Sequence, residues 1–214
     1  FAASEGIGLD VDVSAPEDVS SYPIVGVIDN GVSDVFEGWK VYSWTELPDS
    51  FREEDHGSKV AGLLVKGNDL NGTDIAPEMD GCRLADLFLF PSKDKLAIAY
   101  PFGVENLFMS LRNAVKEAKE ASGVRVFNFS INQEARIPTE GWYSMAGKKL
   151  DELSDELDVQ FVISAGNILQ GQMRDEWIPA DADHNIDSLL PEHIALPPAE
   201  SLRGLSVMAL NPND

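Results

Sequence analysis

Ile24-Val25-Gly26-Val27-Ile28-Asp29-Asn30-Gly31 is a short apolar run that ends on a carboxylate and a turn-forming Asn-Gly pair. Read as a strand, it leaves Asp29 at its tip, because Asn-Gly favours a turn there. Similar runs follow at Arg83 to Phe90, Val124 to Phe129, Phe161 to Ser164 and Leu205 to Leu210. Most lack strict alternation, which predicts burial on both faces. Between them lie helical patterns at about His56 to Val65, at Val104 to Ala121 and at Tyr143 to Leu157. In the second, Val104, Leu107, Phe108, Leu111, Ala114, Val115 and Ala118 form an apolar stripe, stopped by Ser122-Gly123; in the third, Met145, Leu150, Leu153 and Leu157 share a face. Strands alternating with helices predict an α/β fold, a three-layer α/β/α arrangement on a mostly parallel central sheet.

The 214 residues, 43% of them hydrophobic, suffice for one substantial core. Residues 1–22 are acidic and rich in Ser and Pro and read as a lead-in or edge segment, with the domain proper over 23–214. The 16 basic and 37 acidic side chains give a formal charge of -21, which repels phosphate backbones and anionic membranes, so neither nucleic acid nor membrane is an expected partner. No apolar run approaches the roughly 20 residues of a bilayer span. No leader is evident, although the chain starts at Phe1 without an initiator Met and looks already trimmed. Cys82 stands alone, so no internal disulfide forms, and a reducing compartment is slightly favoured. Its place before the apolar run Leu84 to Phe90 reads as structural.

In a parallel sheet, functional residues gather beyond the carboxyl ends of the strands. Asp29 is one. His56 lies in Asp55-His56-Gly57-Ser58-Lys59-Val60-Ala61-Gly62, at the start of a helix aimed at the same cleft. Asn167 ends Phe161-Val162-Ile163-Ser164-Ala165-Gly166-Asn167, where small residues allow close approach and an amide can donate to an oxyanion. A carboxylate that orients a histidine, with an amide donor, is most of a serine hydrolase.

These segments, in this order, resemble the subtilase family of serine peptidases. Val25 to Gly31 is similar to its Asp-Thr/Ser-Gly segment and His56 to Gly62 to its His-Gly-Thr-His-Val-Ala-Gly. Ile75-Ala76-Pro77 is similar to the Val-Ala-Pro turn, Val126 to Ser130 to Val-Ile-Asn-Leu-Ser, and Ser164 to Asn167 to the oxyanion segment. Pro198 to Ser201 with Leu205 to Leu210 resembles Pro-Ala-Ser and the strand after it, so the resemblance covers about residues 23 to 211. It implies a subtilisin-like fold and endopeptidase activity, with Asp29 orienting His56, His56 as general base and acid, and Asn167 as oxyanion donor. Ser130, Ile131 and Asn132, with Ser164, Ala165 and Gly166, would bind an extended peptide. The expected partner is thus a peptide or protein substrate.

The family's Gly-Thr-Ser-Met-Ala-Xaa-Pro segment belongs after the last matched strand and is not reached by Asp214, so the chain is expected to be a C-terminally truncated, inactive piece. Without the serine helix, part of the sheet would be uncovered and the piece less stable. Tyr143-Ser144-Met145-Ala146-Gly147 imitates that segment out of order, and Ser144 reads as structural. Asn30 replaces the usual hydroxyl residue and Lys59 the second histidine of the helix motif, which keeps a pseudopeptidase or peptide-binding module open as the alternative. No Gly-Xaa-Ser-Xaa-Gly elbow, dinucleotide fingerprint or Walker loop supports other α/β enzymes.

No cofactor is expected. The family resemblance allows calcium, and Asp181, Asp183, Asn185 and Asp187 have acidic spacing, but Ile186 stands where a calcium loop needs glycine. Asp69, Asn71 and Asp74 form another polar loop, and His184 and His193 lack zinc-like spacing. Oligomeric state and compartment are not legible.

Overall fold

The computed structural model describes residues 12–71, 81–132, 143–166 and 195–207. Its strands are β1 (Ile24–Asp29), β2 (Lys40–Trp44), β3 (Arg83–Phe88), β4 (Val126–Phe129), β5 (Gln160–Ser164) and β6 (Leu205–Val207). They form one sheet in the order β2-β3-β1-β4-β5-β6, and every pairing among the described residues is parallel. Helices α1 (Asp55–Asn71), α2 (Leu96–Ala99), α3 (Val104–Ser122) and α4 (Met145–Leu157) lie between strands in the chain. The α/β class with a mostly parallel central sheet, read from sequence, is the observed one.

Adjacent residues of a strand point to opposite faces, and the core divides accordingly. Val27 and Leu84 join Ala61 and Val65 of α1 and Phe36 and Trp39 of a short 3-10 helix. Ile28, Leu87, Phe127 and Phe161 instead join Leu111 and Val115 of α3 and Leu150 and Leu153 of α4. β3 is buried from Leu84 through Phe88, which is why its sequence shows no alternation.

The stripe on α3 buries Phe108, Leu111, Ala114, Val115 and Ala118, and Gly123 closes the helix at φ 78° with its N–H donating to Lys119 O. α4 starts at Met145, which is exposed, while Ala146 and Gly147 turn inward beside Leu150 and Leu153. The expected inward position of Met145 is therefore corrected: the helix begins there, and the core face is set by the residues after it. β2 was not expected from sequence. Its Lys-Val-Tyr-Ser-Trp carries the period-2 signal of an edge strand, with Trp44 buried and Val41 and Ser43 exposed. In the lead-in, Val13, Ala15, Val19 and Tyr22 pack on the α1-side core, and Trp39 Nε1 donates to Val13 O at 2.8 Å.

β1 and β4 approach closely because Gly26 pairs with Phe127. A Cβ on Gly26 would sit 2.1 Å from Phe127 Cδ1, so the ring occupies the space a side chain would take. Phe127 is fully buried and its ring lies 5.9 Å from that of Phe161. Phe127→Ala is expected to destabilise the chain by about 3–5 kcal/mol, seen as a lower urea midpoint with unchanged m-value.

Candidate active site

From β1 the chain crosses to β2 and β3 on one side, and β4 then continues on the other. Such a reversal opens a crevice beyond the carboxyl ends of the strands flanking it. Asp29 is the last residue of β1, and Ser130 and Ala165 directly follow β4 and β5, so the topology brings these positions to one edge.

Asp29 is fully buried, where an ionised carboxylate must be partnered. Its Oδ1 accepts from Asn30 N at 2.8 Å, and His56 Nδ1 lies 2.9 Å from Oδ1 and 2.8 Å from Oδ2. Its backbone oxygen accepts from Leu89 N and Phe90 N, each at 3.1 Å, which fixes the strand tip. With Nδ1–H donating to the carboxylate, the imidazole is held in the tautomer whose Nε2 lone pair can take a proton. The His56 side chain is half exposed, so that nitrogen can face the cleft. The hydrogen bond to Asp29 raises the His56 pKa above its ordinary value; partial desolvation and Lys59 pull against the shift.

His56 is the second residue of α1, and several contacts bring it to Asp29. Gly57 N donates to Asn30 Oδ1 at 2.9 Å, Ser33 N to Ser58 Oγ at 2.9 Å, and Glu54 N to Asn30 O at 3.3 Å. A Cβ at residue 57 would meet Gly31 O at 2.2 Å, so glycine is what lets the helix approach. Asn30, a departure from the family pattern, thus serves as a remote cap for the first turn of α1. Before the helix, Glu54 adopts φ 61°, a left-handed conformation costing a non-glycine residue on the order of 1 kcal/mol.

Sequence reasoning missed Arg52 and Asp86. Asp86 is 1% exposed on β3, and Arg52 Nη1 and Nη2 both donate to its Oδ2 at 3.1 Å. Burial pushes the Asp86 carboxyl up to about 6, against the opposing pull of Arg52 and Lys40. A carboxylate inside Leu84-Ala85-Asp86-Leu87-Phe88 was a visible signal, but nothing in the sequence named its partner.

The residues expected to bind peptide lie together. Asn132 Nδ2 donates to Ser164 O at 2.6 Å, Ser164 Oγ accepts from Gly166 N at 3.3 Å, and Ser130 Oγ donates to Asn128 Oδ1 at 2.8 Å. Ile131 and Asn132 also line a cavity of about 760 Å³ walled by Phe90, Leu96, Tyr100, Val104 and Phe129. Neither Asp29 nor His56 is among its lining residues.

Asn167 and the acidic stretch Asp181 to Asp187 lie outside the described residues, as do Asp74, His184 and His193. Among the described residues, no group of three His, Cys, Asp or Glu side chains could hold a metal. Ser144 is the N-cap of α4, its Oγ accepting from Gly147 N at 2.9 Å, and has no part in the Asp29–His56 arrangement. Cys82 is buried and its thiol is pushed up to about 12 by desolvation, a structural cysteine.

A histidine whose folded pKa is raised contributes stability that is fully present below its unfolded pKa and is lost as pH rises through the folded value. Asp29→Asn is therefore expected to return the His56 NMR titration midpoint toward the ordinary histidine value and to remove that component of the pH–stability profile. Gly57→Ala should likewise disturb the His56 imidazole resonances, because its Cβ collides with the Gly31 carbonyl.

No helix among the described residues is long and apolar enough to cross a membrane. No curated protein matches the chain. Solved structures do match. The MycP3 protease of the type VII (ESX-3) secretion system is 22% identical at TM-score 0.50, with 88% of this chain and 53% of that one covered. A subtilase cytotoxin SubAB structure is 16% identical at TM-score 0.46, with 85% and 50% covered. MycP1 from Mycobacterium smegmatis is 17% identical at TM-score 0.41, with 86% and 50% covered. The chain spans about half the length of these structures. Residues 21–211 match the model of the Subtilase family, Peptidase_S8, and the chain belongs to that family.

Proposed function

We propose that the chain supplies the acid–base half of a serine endopeptidase site, with the nucleophilic serine provided by sequence that follows the matched segments. The observation that carries this reading is His56 Nδ1 held between the oxygens of a fully buried Asp29 carboxylate. In the proposed reaction, His56 Nε2 takes the serine hydroxyl proton as Oγ attacks the peptide carbonyl carbon, and Asp29 stabilises the resulting imidazolium. The side-chain amide of Asn167 donates to the oxyanion. His56 then gives the proton to the departing amine as the C–N bond breaks, leaving an acyl-serine. Water attacks that ester, its proton passing to Nε2 and on to the serine oxygen as the C–O bond breaks and the carboxylic acid leaves.

The substrate in this reading is an extended peptide lying along Ser130 to Asn132 and Ser164 to Gly166. The cavity beyond Ile131 would take one apolar side chain, since aliphatic and aromatic groups dominate its walls. On the chain extended by its downstream coding sequence, a fluorophosphonate probe is expected to label one serine, and His56→Ala should lower kcat/KM by roughly 10⁴-fold or more. Peptide binding without labelling or cleavage would point instead to a pseudopeptidase. In a peptide series, one position should prefer Leu or Phe over Asp by on the order of 10-fold or more. Uniform tolerance at every position would remove the cavity from the site.

A further inference from the structure

The short segment Arg52-Glu53-Glu54-Asp55 links a 3-10 helix (Asp49–Phe51) to α1 and so sets where His56 arrives. It holds a left-handed residue, Glu54, and its internal bonds are few: Asp55 N donates to Glu53 O at 2.8 Å and Arg52 Nη1 to Glu54 Oε1 at 3.4 Å. External ties must therefore keep it in place. Arg52 makes the strongest of them. Its side chain runs beneath Gly31, whose φ of 105° and missing Cβ leave the space that Nη1 fills: a Cβ there would come within 2.6 Å. The guanidinium stands 5.1 Å from the centre of the Phe88 ring, and both terminal nitrogens converge on Asp86 Oδ2.

The register makes the location specific. Asp29 pairs with Phe88, and Val27 with Asp86. Asp86, Phe88 and Asp29 thus project from the same face of neighbouring strands, the face that α1 covers. Arg52 grips the strand beside the one that carries Asp29, while the chain that follows it delivers His56.

We propose that Arg52 and Asp86 are positioning residues for the Asp29–His56 pair: the ion pair pins the approach to α1 so that Nδ1 stays on the Asp29 carboxylate. This rests on the reading of Asp29 and His56 as the acid–base pair of a peptidase. A role in stability alone fits less well. A fully buried carboxylate stays costly even beside a guanidinium, and the rise of Asp86 toward about 6 is in keeping with that cost. The charged groups facing Asp86 are Arg52, Lys40 and, repelling it, Glu54; those facing His56 are Asp29 and Lys59.

The test follows the His56 imidazole by NMR in the chain itself, with Arg52→Met, Arg52→Lys and Asp86→Asn. For Arg52, through-space charge and positioning predict opposite signs; for Asp86 they agree in sign, and exchange of the Nδ1 proton separates them. Removing the Arg52 cation acts directly to raise the His56 midpoint, and removing the Asp86 anion acts directly to lower it. Loss of position lowers both, because the bond to Asp29 is made less often. Arg52→Met is therefore expected to bring the midpoint down toward the ordinary histidine value and to speed exchange of the Nδ1 proton with solvent. Arg52→Lys should restore most of the shift. Asp86→Asn should lower the midpoint while the melting temperature at pH 7 stays level or rises.

A folded Arg52→Met whose midpoint is unchanged or raised overturns the proposal. So does Asp86→Asn with an unaltered imidazole titration and Nδ1 proton, which serves if the Arg52 variant fails to fold. Because titration needs no serine, a lowered midpoint in a chain whose extended form cleaves nothing would leave the positioning intact and sink the peptidase reading alone.

Discussion

Asp29 must be buried and partnered at once, and the architecture around it answers that requirement. A carboxylate removed from water without hydrogen bonds would cost many kcal/mol or simply protonate. Here the neighbouring Asn30 amide and the His56 ring supply the partners, while Leu89 and Phe90 amides fix the backbone from β3's side. The sheet places Asp29 deep by burying β1 on both faces. The helix that covers one of those faces brings the histidine that the carboxylate needs.

The histidine is placed where two effects compete. The first turn of a helix is electropositive and disfavours a cation there, and Lys59 on the same helix adds to that. The short bond to Asp29 prevails, so the proton affinity ends above the ordinary value. Exposure moderates the outcome: with half of the side chain in water, the imidazole keeps part of its hydration and stays open to a reactant. A fully buried histidine with the same partner would be a fixed ion pair, not a group that can cycle a proton.

Much of the fold was legible because it is written in local patterns. Runs buried on both faces, the α3 stripe and the Ser122-Gly123 stop each depend on residues close in sequence. The Asp29 and His56 positions were legible because strand-end carboxylates and the Asp55 to Gly62 stretch have a chemical signature. β2 escaped because a five-residue edge strand with one buried side of Tyr42 and Trp44 resembles any polar loop containing aromatics. Arg52 and Asp86 escaped for a different reason. They are separated by 34 positions, and only the folded chain brings the link that carries Arg52 onto the face of β3 from which Asp86 projects.

That contrast bears on how such a site is built. The strand tips are set by regular ladders: β1 with β3, β1 with β4 and β4 with β5 pair in parallel without a register shift, and the irregularity between Lys40 and Tyr42 falls at the edge. Asp29 and the starts of the Ser130 and Ala165 segments therefore inherit their positions from the core. His56 does not, since it enters from a turn with a strained Glu54 and little packing of its own. Precision there draws on polar ties: Gly57 to Asn30, Ser33 to Ser58 and Arg52 to Asp86. The first two fasten the helix to the loop after β1. The third holds the approach to the helix on an interior strand, and an interior strand is the part of the molecule least able to move.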